Sequence, residues 1–368
     1  MASVTGLEGI VAAETELSMV DGEKGLLIYR GYEAKRLALE LSYEEAAYLL
    51  WYGQLPTEEQ LVDFCVKWSG LRALPAEVKA VIDLLPQEFE MMSVLRTAIS
   101  AAEETNRGTW SPSLEGALRY TALVPSIIAY RYRRSAGLEP VEPNPQLGHV
   151  ANYLFMLTGE VPLPAHVKAL TAYFILAMEH GMNASTFAGR VVLSTQSDMA
   201  SALCAAIGAM KGPLHGGAPS EVVHMLDAIA TKERAEGWLR QRLDEGQRLM
   251  GFGHRVYKTF DPRAEALREM IIRLSADDAW FELAVYVESL ATRLLDEYKP
   301  GRKLYTNVEF YAAAVLRAVN MPSALFTPTF TVSRMVGWTA HLLEQAGCNR
   351  IFRPQSIYIG AMPETAEV

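Results

Sequence analysis

The amino-acid sequence predicts an all-α protein with one small β-hairpin near its N-terminus. Apolar residues recur with a spacing of about 3.6 along most of the chain, capping residues recur between these stretches, and strand character is confined to residues 26–29. The chain has 368 residues, of which 50% are hydrophobic and 21% charged, so it can bury sizeable cores and is not disordered over most of its length. This length suits two domains.

The hairpin is the first element along the chain. Residues 21–25 (Asp-Gly-Glu-Lys-Gly) are typical of a turn, and the apolar run 26–29 follows them as a strand. A capping box of Ser42 and Glu45 then begins a helix, and Gly53 ends it. From this point nearly all of the chain is predicted to be helical.

The later helices follow from the same signals. Thr57 with Gln60 forms a second capping box. Ser111 is predicted to cap a long helix that starts with Pro112 and is kinked at Pro125. The apolar spacing predicts further helices at about 148–158, 165–180, 184–194, 197–210, 218–230, 233–249, 262–274, 277–298, 308–319 and 329–345.

Composition and charge exclude several classes of protein. The net charge of −9 gives no general attraction to nucleic acid or to an anionic membrane, and no apolar run is long enough to span a bilayer. The three cysteines, Cys65, Cys204 and Cys348, are far apart and lie in apolar helical surroundings, and the N-terminus lacks a signal peptide, so we expect a reducing, cytoplasmic compartment. No group of His, Cys, Asp and Glu side chains has metal-ligand spacing, so no metal is expected.

Two glycine-rich loops each carry a histidine. His215 lies in Lys-Gly-Pro-Leu-His-Gly-Gly-Ala-Pro (residues 211–219), where glycines let a ligand approach the backbone closely. His254 follows a Gly-Phe-Gly sequence and is followed within nine residues by the cations Arg255, Lys258 and Arg263, a composition that favours anion binding. The structural alternatives are a solvent-satisfied loop histidine for the first loop and a solvated basic loop for the second.

A third segment places Glu309 in the first turn of a helix, after Asn307 and Val308. An acid at this position is also explained by the helix dipole alone. Two histidines and a carboxylate, together with Arg263, Arg334 and Arg353, nevertheless indicate acid–base chemistry on a carbon acid with a polyanionic substrate.

The motifs around these residues closely resemble the three catalytic motifs of citrate synthases. They are Pro-Leu-His-Gly-Gly-Ala (213–218), Gly-Phe-Gly-His-Arg-Val-Tyr-Lys with Asp-Pro-Arg (251–258 and 261–263), and Asn-Val-Glu-Phe-Tyr (307–311). The resemblance runs essentially end to end, from residues 21–31 through 179–186, 326–328, 333–334 and 337–338 to 351–354. One position departs from the family, because citrate synthases generally carry aspartate where this chain has Glu309.

The resemblance implies an all-α, two-domain fold with a large helical domain (1–216 plus 321–368) and a small one (217–320) that closes over the substrate. It implies condensation of acetyl-CoA with oxaloacetate and hydrolysis of the thioester to citrate and CoA. Glu309 would be the base, His215 the donor to the enolate oxygen, and His254 the donor to the oxaloacetate carbonyl. The residues implied for oxaloacetate binding are His180, Arg263, Arg334, Arg353, Asn183 and Phe330.

The resemblance also implies the partners. These are oxaloacetate and an acyl-CoA, with acetyl-CoA as a substrate rather than a cofactor, and a second copy of the chain, since the arginine at the position of Arg353 is typically lent across a homodimer interface in this family. For the CoA phosphates, charge and proximity suggest Arg255, Lys258, Arg302 and Lys303.

Two alternatives remain open. One is a 2-methylcitrate synthase that uses propionyl-CoA, because one methylene changes binding in a pocket by only about 1–3 kcal/mol. The other is a low-activity sensor or interaction protein with the same fold, its chemistry weakened by glutamate at position 309.

Overall fold

The computed structural model describes residues 5–7, 9–102, 110, 112–216, 218–254, 256–274 and 279–362. These residues form sixteen α-helices, one three-stranded sheet and two short 3₁₀ turns. The strands are β1 (Ser18–Asp21), β2 (Leu26–Tyr29) and β3 (Tyr32–Glu33). The helices are α1 (Ala34–Glu40), α2 (Tyr43–Tyr52), α3 (Glu58–Ser69), α4 (Ala76–Leu84), α5 (Met91–Ala101), α6 (Leu114–Ser135), α7 (His149–Thr158), α8 (Pro164–Ala177), α9 (Ala184–Ser194), α10 (Met199–Lys211), α11 (Ala218–Ile229), α12 (Lys232–Asp244), α13 (Pro262–Leu274), α14 (Ala279–Tyr298), α15 (Val308–Ala318) and α16 (Phe326–Gly347).

The predicted hairpin is confirmed. β1 and β2 pair antiparallel, with Ser18 opposite Tyr29 and Asp21 opposite Leu26. The carboxylate of Asp21 closes the turn by accepting the backbone N–H groups of Glu23 at 3.1 Å and Lys24 at 2.9 Å. The short strand β3, which pairs with β2, was not predicted from the sequence.

The capping signals near the N-terminus are also confirmed. Both capping boxes are present, Ser42 with Glu45 and Thr57 with Gln60, and Gly53 ends α2 with a φ of 80°.

The start of the long helix α6 differs from the prediction. Ser113, whose hydroxyl accepts the N–H of Gly116 at 3.0 Å, caps this helix, and Pro112 precedes it. Ser111, the predicted cap, lies outside the described residues. The helix continues through Pro125, and the kink predicted there remains a prediction.

Most of the other predicted helices are present within a few residues of their expected bounds. The largest difference is α12, which ends at Asp244 rather than near residue 249, shortly before Gly246 with its φ of 72°. Helix α8 ends at Ala177, so the segment around His180 is a loop rather than the last turn of a helix. Helix α16 starts at Phe326, three residues before its predicted start, with Pro328 in its first turn.

Helix α16 lies at the centre of the molecule. It is buried along most of its length, including Trp338, and packs against α6, α8, α9 and α10. Three of its side chains donate hydrogen bonds to segments that carry or flank candidate residues: Thr327 to Gly216, Arg334 to Ala177 and Trp338 to Ser185.

The cysteines are free thiols, and burial raises the pKa of the Cys65 and Cys204 thiols to about 11. Cys348 is exposed beyond the end of α16, so the apolar helical surroundings predicted for it are wrong. None of the described helices is both long and apolar enough to cross a membrane. The division into domains at residues 217 and 320 stays a prediction.

Candidate active site

His254 and Arg263 form the centre of the candidate site. His254 Nδ1 accepts the backbone N–H groups of Val256 at 3.0 Å and Tyr257 at 3.1 Å. The neutral imidazole therefore carries its proton on Nε2. Burial, reinforced by the charge of Arg263, lowers the pKa of His254 to about 4, so the ring is uncharged at neutral pH.

The Nε2 atom of His254 lies 3.3 Å from Nη2 of Arg263. Both nitrogens carry hydrogens in this tautomer, so neither accepts from the other, and an anionic oxygen lying to the side of the pair could accept from both. Asp261 holds the guanidinium at 3.0 Å from Nε and 2.9 Å from Nη2. Burial opposes the charge of Arg263, but Asp261 outweighs it and the pKa of Arg263 is raised.

His180 lies beside this pair. Its Nε2 is 3.2 Å from the hydroxyl of Tyr257, and its ring centroid is 5.5 Å from that of His254. Burial, together with the nearby charge of Arg263, places the pKa of His180 well below its ordinary value. His180 is therefore a second neutral imidazole, packed edge to face against His254 and Tyr257.

His215 is held by the start of α9 and by α16. Its Nε2 lies 2.7 Å from the hydroxyl of Ser185. This hydroxyl donates to Oδ1 of Asn183 at 2.7 Å and accepts from the indole of Trp338 at 3.1 Å. The carbonyl of Gly216 accepts from Thr327 at 2.7 Å, which fixes the loop. Burial, aided by Arg334, lowers the pKa of His215 to about 4.

Arg334 and Phe330 come from α16. Arg334 is buried, donates from Nε to the carbonyl of Ala177 at 2.6 Å, and lies over the ring of Phe330 with 4.8 Å to its centroid. The ring of Phe330 lies in turn 6.4 Å from that of His215. Burial lowers the pKa of Arg334. Its terminal nitrogens have no hydrogen-bond acceptor among the described residues, which leaves them free for a ligand carboxylate.

Glu309 lies in the first turn of α15, where Asn307 accepts its N–H at 3.0 Å. Burial raises the pKa of the Glu309 carboxyl to about 7, although Arg263 opposes this shift. The carboxylate is therefore close to half-ionised at neutral pH, a suitable state for a general base.

Backbone contacts join the loops that carry Glu309 and His254. Gly253 donates to Tyr305 O at 2.7 Å, Asn307 donates from its backbone to Gly251 O at 2.9 Å, and the Asn307 side chain donates to Gly253 O at 2.8 Å. Asp261 adds a further link, since it accepts the N–H of Val308 at 3.0 Å while it holds the arginine of the site.

The other predicted residues lie outside this cluster. Arg353 is exposed on the C-terminal segment, and no hydrogen bond or ion pair within the described chain connects it to the site. Arg255 lies outside the described residues. Lys258, Arg302 and Lys303 are exposed, and the structure assigns none of them to a ligand.

Four residues that hold the site were not given a role from the sequence: Ser185, Tyr257, Asp261 and Asn307. All four lie within the quoted motifs, so their positions were visible, but their partners were not. Within the described ranges, no group of three His, Cys, Asp or Glu side chains could hold a metal ion.

Comparisons with known proteins agree with the family that the sequence motifs resemble. The sequence profile described as "Citrate synthase, C-terminal domain" matches residues 6–355. The chain is 41% identical to a citrate synthase of Mycolicibacterium smegmatis (96% of this chain, 94% of that protein) and 40% identical to a 2-methylcitrate synthase of Mycobacterium tuberculosis (96% and 90%). Its fold is similar to that of the citrate synthase of Thermoplasma acidophilum in a ternary complex with carboxymethyl coenzyme A and oxaloacetate, with a TM-score of 0.90 and 31% identity over 98% of this chain and 96% of that one.

The all-α fold and the matched relatives define an enzyme that transfers an acyl group. The chain belongs to the citrate synthase family, as the sequence motifs predicted.

Proposed function

We propose that this enzyme condenses acetyl-CoA with oxaloacetate and hydrolyses the product thioester to citrate and CoA. The observation that carries the proposal is the convergence of the neutral Nε2–H of His254 and the guanidinium of Arg263, 3.3 Å apart, beside a carboxyl group with a pKa of about 7. This arrangement suits a substrate that has both a carboxylate and a reactive ketone.

The first step is removal of a proton from the methyl group of the thioester. Glu309 accepts this proton, and its raised pKa makes it a stronger base than an exposed carboxylate. The negative charge moves to the thioester oxygen, where His215 donates a hydrogen bond from Nδ1. That role requires the Ser185 hydroxyl, which donates to Oδ1 of Asn183 here, to turn and donate to Nε2 of His215, 2.7 Å away.

In the second step the enolate carbon attacks the ketone carbon of oxaloacetate and forms the new C–C bond. His254 donates its Nε2 proton to the ketone oxygen as the charge develops there. A pKa of about 4 keeps His254 neutral and makes it a donor without a charge of its own. Water then adds to the thioester carbonyl, and the C–S bond breaks to release CoA and citrate.

Binding of oxaloacetate would be shared between the residues around His254 and the residues around His215. His180, Arg263 and Arg334 supply neutral and charged donors, with Asn183 and Phe330 beside His215. Arg353 would reach the site from a second copy of the chain, in keeping with its exposure here. The CoA phosphates would meet Arg255, Lys258, Arg302 and Lys303 when residues 217–320 close on the rest of the chain.

The test is a thiol-release assay with oxaloacetate that compares kcat/KM for acetyl-CoA and propionyl-CoA. We expect acetyl-CoA to be the better substrate and the His254→Asn variant to lose most activity with both. A higher kcat/KM for propionyl-CoA would assign the chain to 2-methylcitrate synthesis. Thiol release from neither substrate, in a folded protein that binds oxaloacetate, would favour the sensor alternative.

A further inference from the structure

The β1–β2 hairpin lies between the loops that carry His180 and His254. On the His180 side, Ser18 donates to the carboxylate of Glu179 at 2.8 Å and the Tyr29 hydroxyl donates to the carbonyl of Glu179 at 2.7 Å. Glu179 is fully buried and directly precedes His180 in the chain. The strands of the hairpin therefore fix the backbone from which His180 projects.

The turn of the same hairpin contacts the segment that follows His254. The backbone N–H of Lys258 donates to the carbonyl of Gly22 at 2.8 Å. A Cβ atom at Gly22 would lie 2.1 Å from the carbonyl oxygen of Val256, and one at Gly25 would lie 2.8 Å from that of Phe260. Both distances are too short for any side chain, so the two backbones meet here only because both turn positions are glycine.

This contact is one peptide away from the atoms that orient His254. The N–H groups of Val256 and Tyr257 donate to Nδ1 of His254 and so select the tautomer with a proton on Nε2. Tyr257 also contacts His180 through its hydroxyl. A displacement of the 256–260 segment would therefore misdirect the donor to the substrate ketone, and a misplacement of about 1 Å can lower a rate by about a hundredfold.

We propose that the hairpin turn, residues 21–25, is a positioning element for His254: it holds the 256–258 backbone in the conformation that keeps the Nε2–H tautomer directed at the substrate. The turn belongs to the predicted large domain and the 256–258 segment to the predicted small one, so the contact also bridges the predicted domain boundary. The consequence for turnover rests on the proposed function, whereas the effect on the tautomer does not.

The experiment compares Gly25→Ala and Gly22→Ala with Gly31→Ala as the control. Gly25 and Gly31 both have positive φ, 66° and 89°, so both substitutions strain the backbone, but a Cβ at Gly31 meets nothing within 4 Å. The readouts are the tautomer of His254 in the free protein, from ¹⁵N-histidine spectra assigned with His254→Gln, and kcat at saturating substrates. Thermal unfolding is recorded for all variants.

We expect the parent and Gly31→Ala to hold the Nε2–H tautomer, and Gly25→Ala and Gly22→Ala to show mixed tautomers with kcat reduced at least tenfold. If Gly22→Ala does not fold, Gly25→Ala decides alone. An unchanged tautomer in Gly25→Ala would overturn the proposal, even if kcat fell, because the turn would then act by another route. A parent without condensation activity would refute the proposed function and leave the tautomer comparison to decide the role of the turn.

Discussion

Replacing Glu309 by glutamine should stabilise the protein while it removes the catalytic base. The folded environment raises the carboxyl pKa from 4.5 to about 7, which disfavours the ionised form by about 3 kcal/mol, since a tenfold change in an equilibrium constant corresponds to about 1.4 kcal/mol. The folded state thus binds the proton more tightly than the unfolded state does. Stability is therefore lost as the pH rises from about 4.5 to about 7, and the loss is complete above that range.

Glutamine carries no charge at any pH, so Glu309→Gln avoids this loss. The stability advantage of the variant should be about 1 kcal/mol at pH 5.5 and about 3 kcal/mol at pH 8.5. With an unfolding entropy of about 2.1 cal/mol/K per residue, the larger value corresponds to an increase in Tm of about 4 °C for this chain. Over the same range, kcat/KM of the parent should rise with pH through about 7 as the carboxyl ionises.

The assay is thermal unfolding of both proteins from pH 5.5 to 8.5, combined with thiol release. We expect kcat to fall by about 10² to 10⁴ in Glu309→Gln, and by less in Glu309→Asp, which keeps the base but retracts it. A Tm difference that does not change with pH would refute the raised pKa. An aspartate variant ten times more active than the parent would show that glutamate attenuates the site.

Three further predictions concern the rest of the site. His254→Asn, which keeps an acceptor near the N–H of Val256 but lacks the Nε2 donor, should lower kcat by about 10² to 10⁴ with Tm within about 2 °C; a loss below tenfold in thiol release would exclude the role of His254. Asn307→Ala should cost about 1 kcal/mol of stability and also lower kcat, because it removes the bond to Gly253, whereas the matched cap variant Ser113→Ala should lose only stability; equal kcat in the two would contradict this. Oxaloacetate should tighten acyl-CoA binding in calorimetry, and equal affinity with and without it would rule out closure by the first ligand.

The sequence predicted those parts of the fold that depend on near neighbours in the chain. A capping box such as that of Ser42 and Glu45 joins residues three positions apart, so both partners are visible in one short stretch. The start of α6 was misplaced because Ser111 and Ser113 both flank a proline, and the preference of proline for the first helical turn favoured the wrong serine.

In the candidate site, too, the sequence predicted what depends on local motifs and missed what depends on distant contacts. His215, His254 and Glu309 could be proposed because each lies in a distinctive motif. The residues that hold them could not, because their contacts join distant positions: Ser185 and His215 are 30 residues apart, and Asp261 and Val308 are 47 apart. Such pairs are set by the packing of α9, α15 and α16, which no local pattern records.

The backbone bridge between residues 251–253 and 305–307 has a consequence for the fate of the thioester. It joins the segment before His254 to the segment before Glu309 by three hydrogen bonds, so the acid and the base would move together if the two predicted domains separate. His215, the proposed partner of the enolate oxygen, is held instead by α9 and α16. Should these two parts separate, the base would face a methyl group whose anion nothing stabilises. Acetyl-CoA that binds before oxaloacetate would then dissociate unchanged. The enzyme would therefore not consume the thioester when oxaloacetate is scarce.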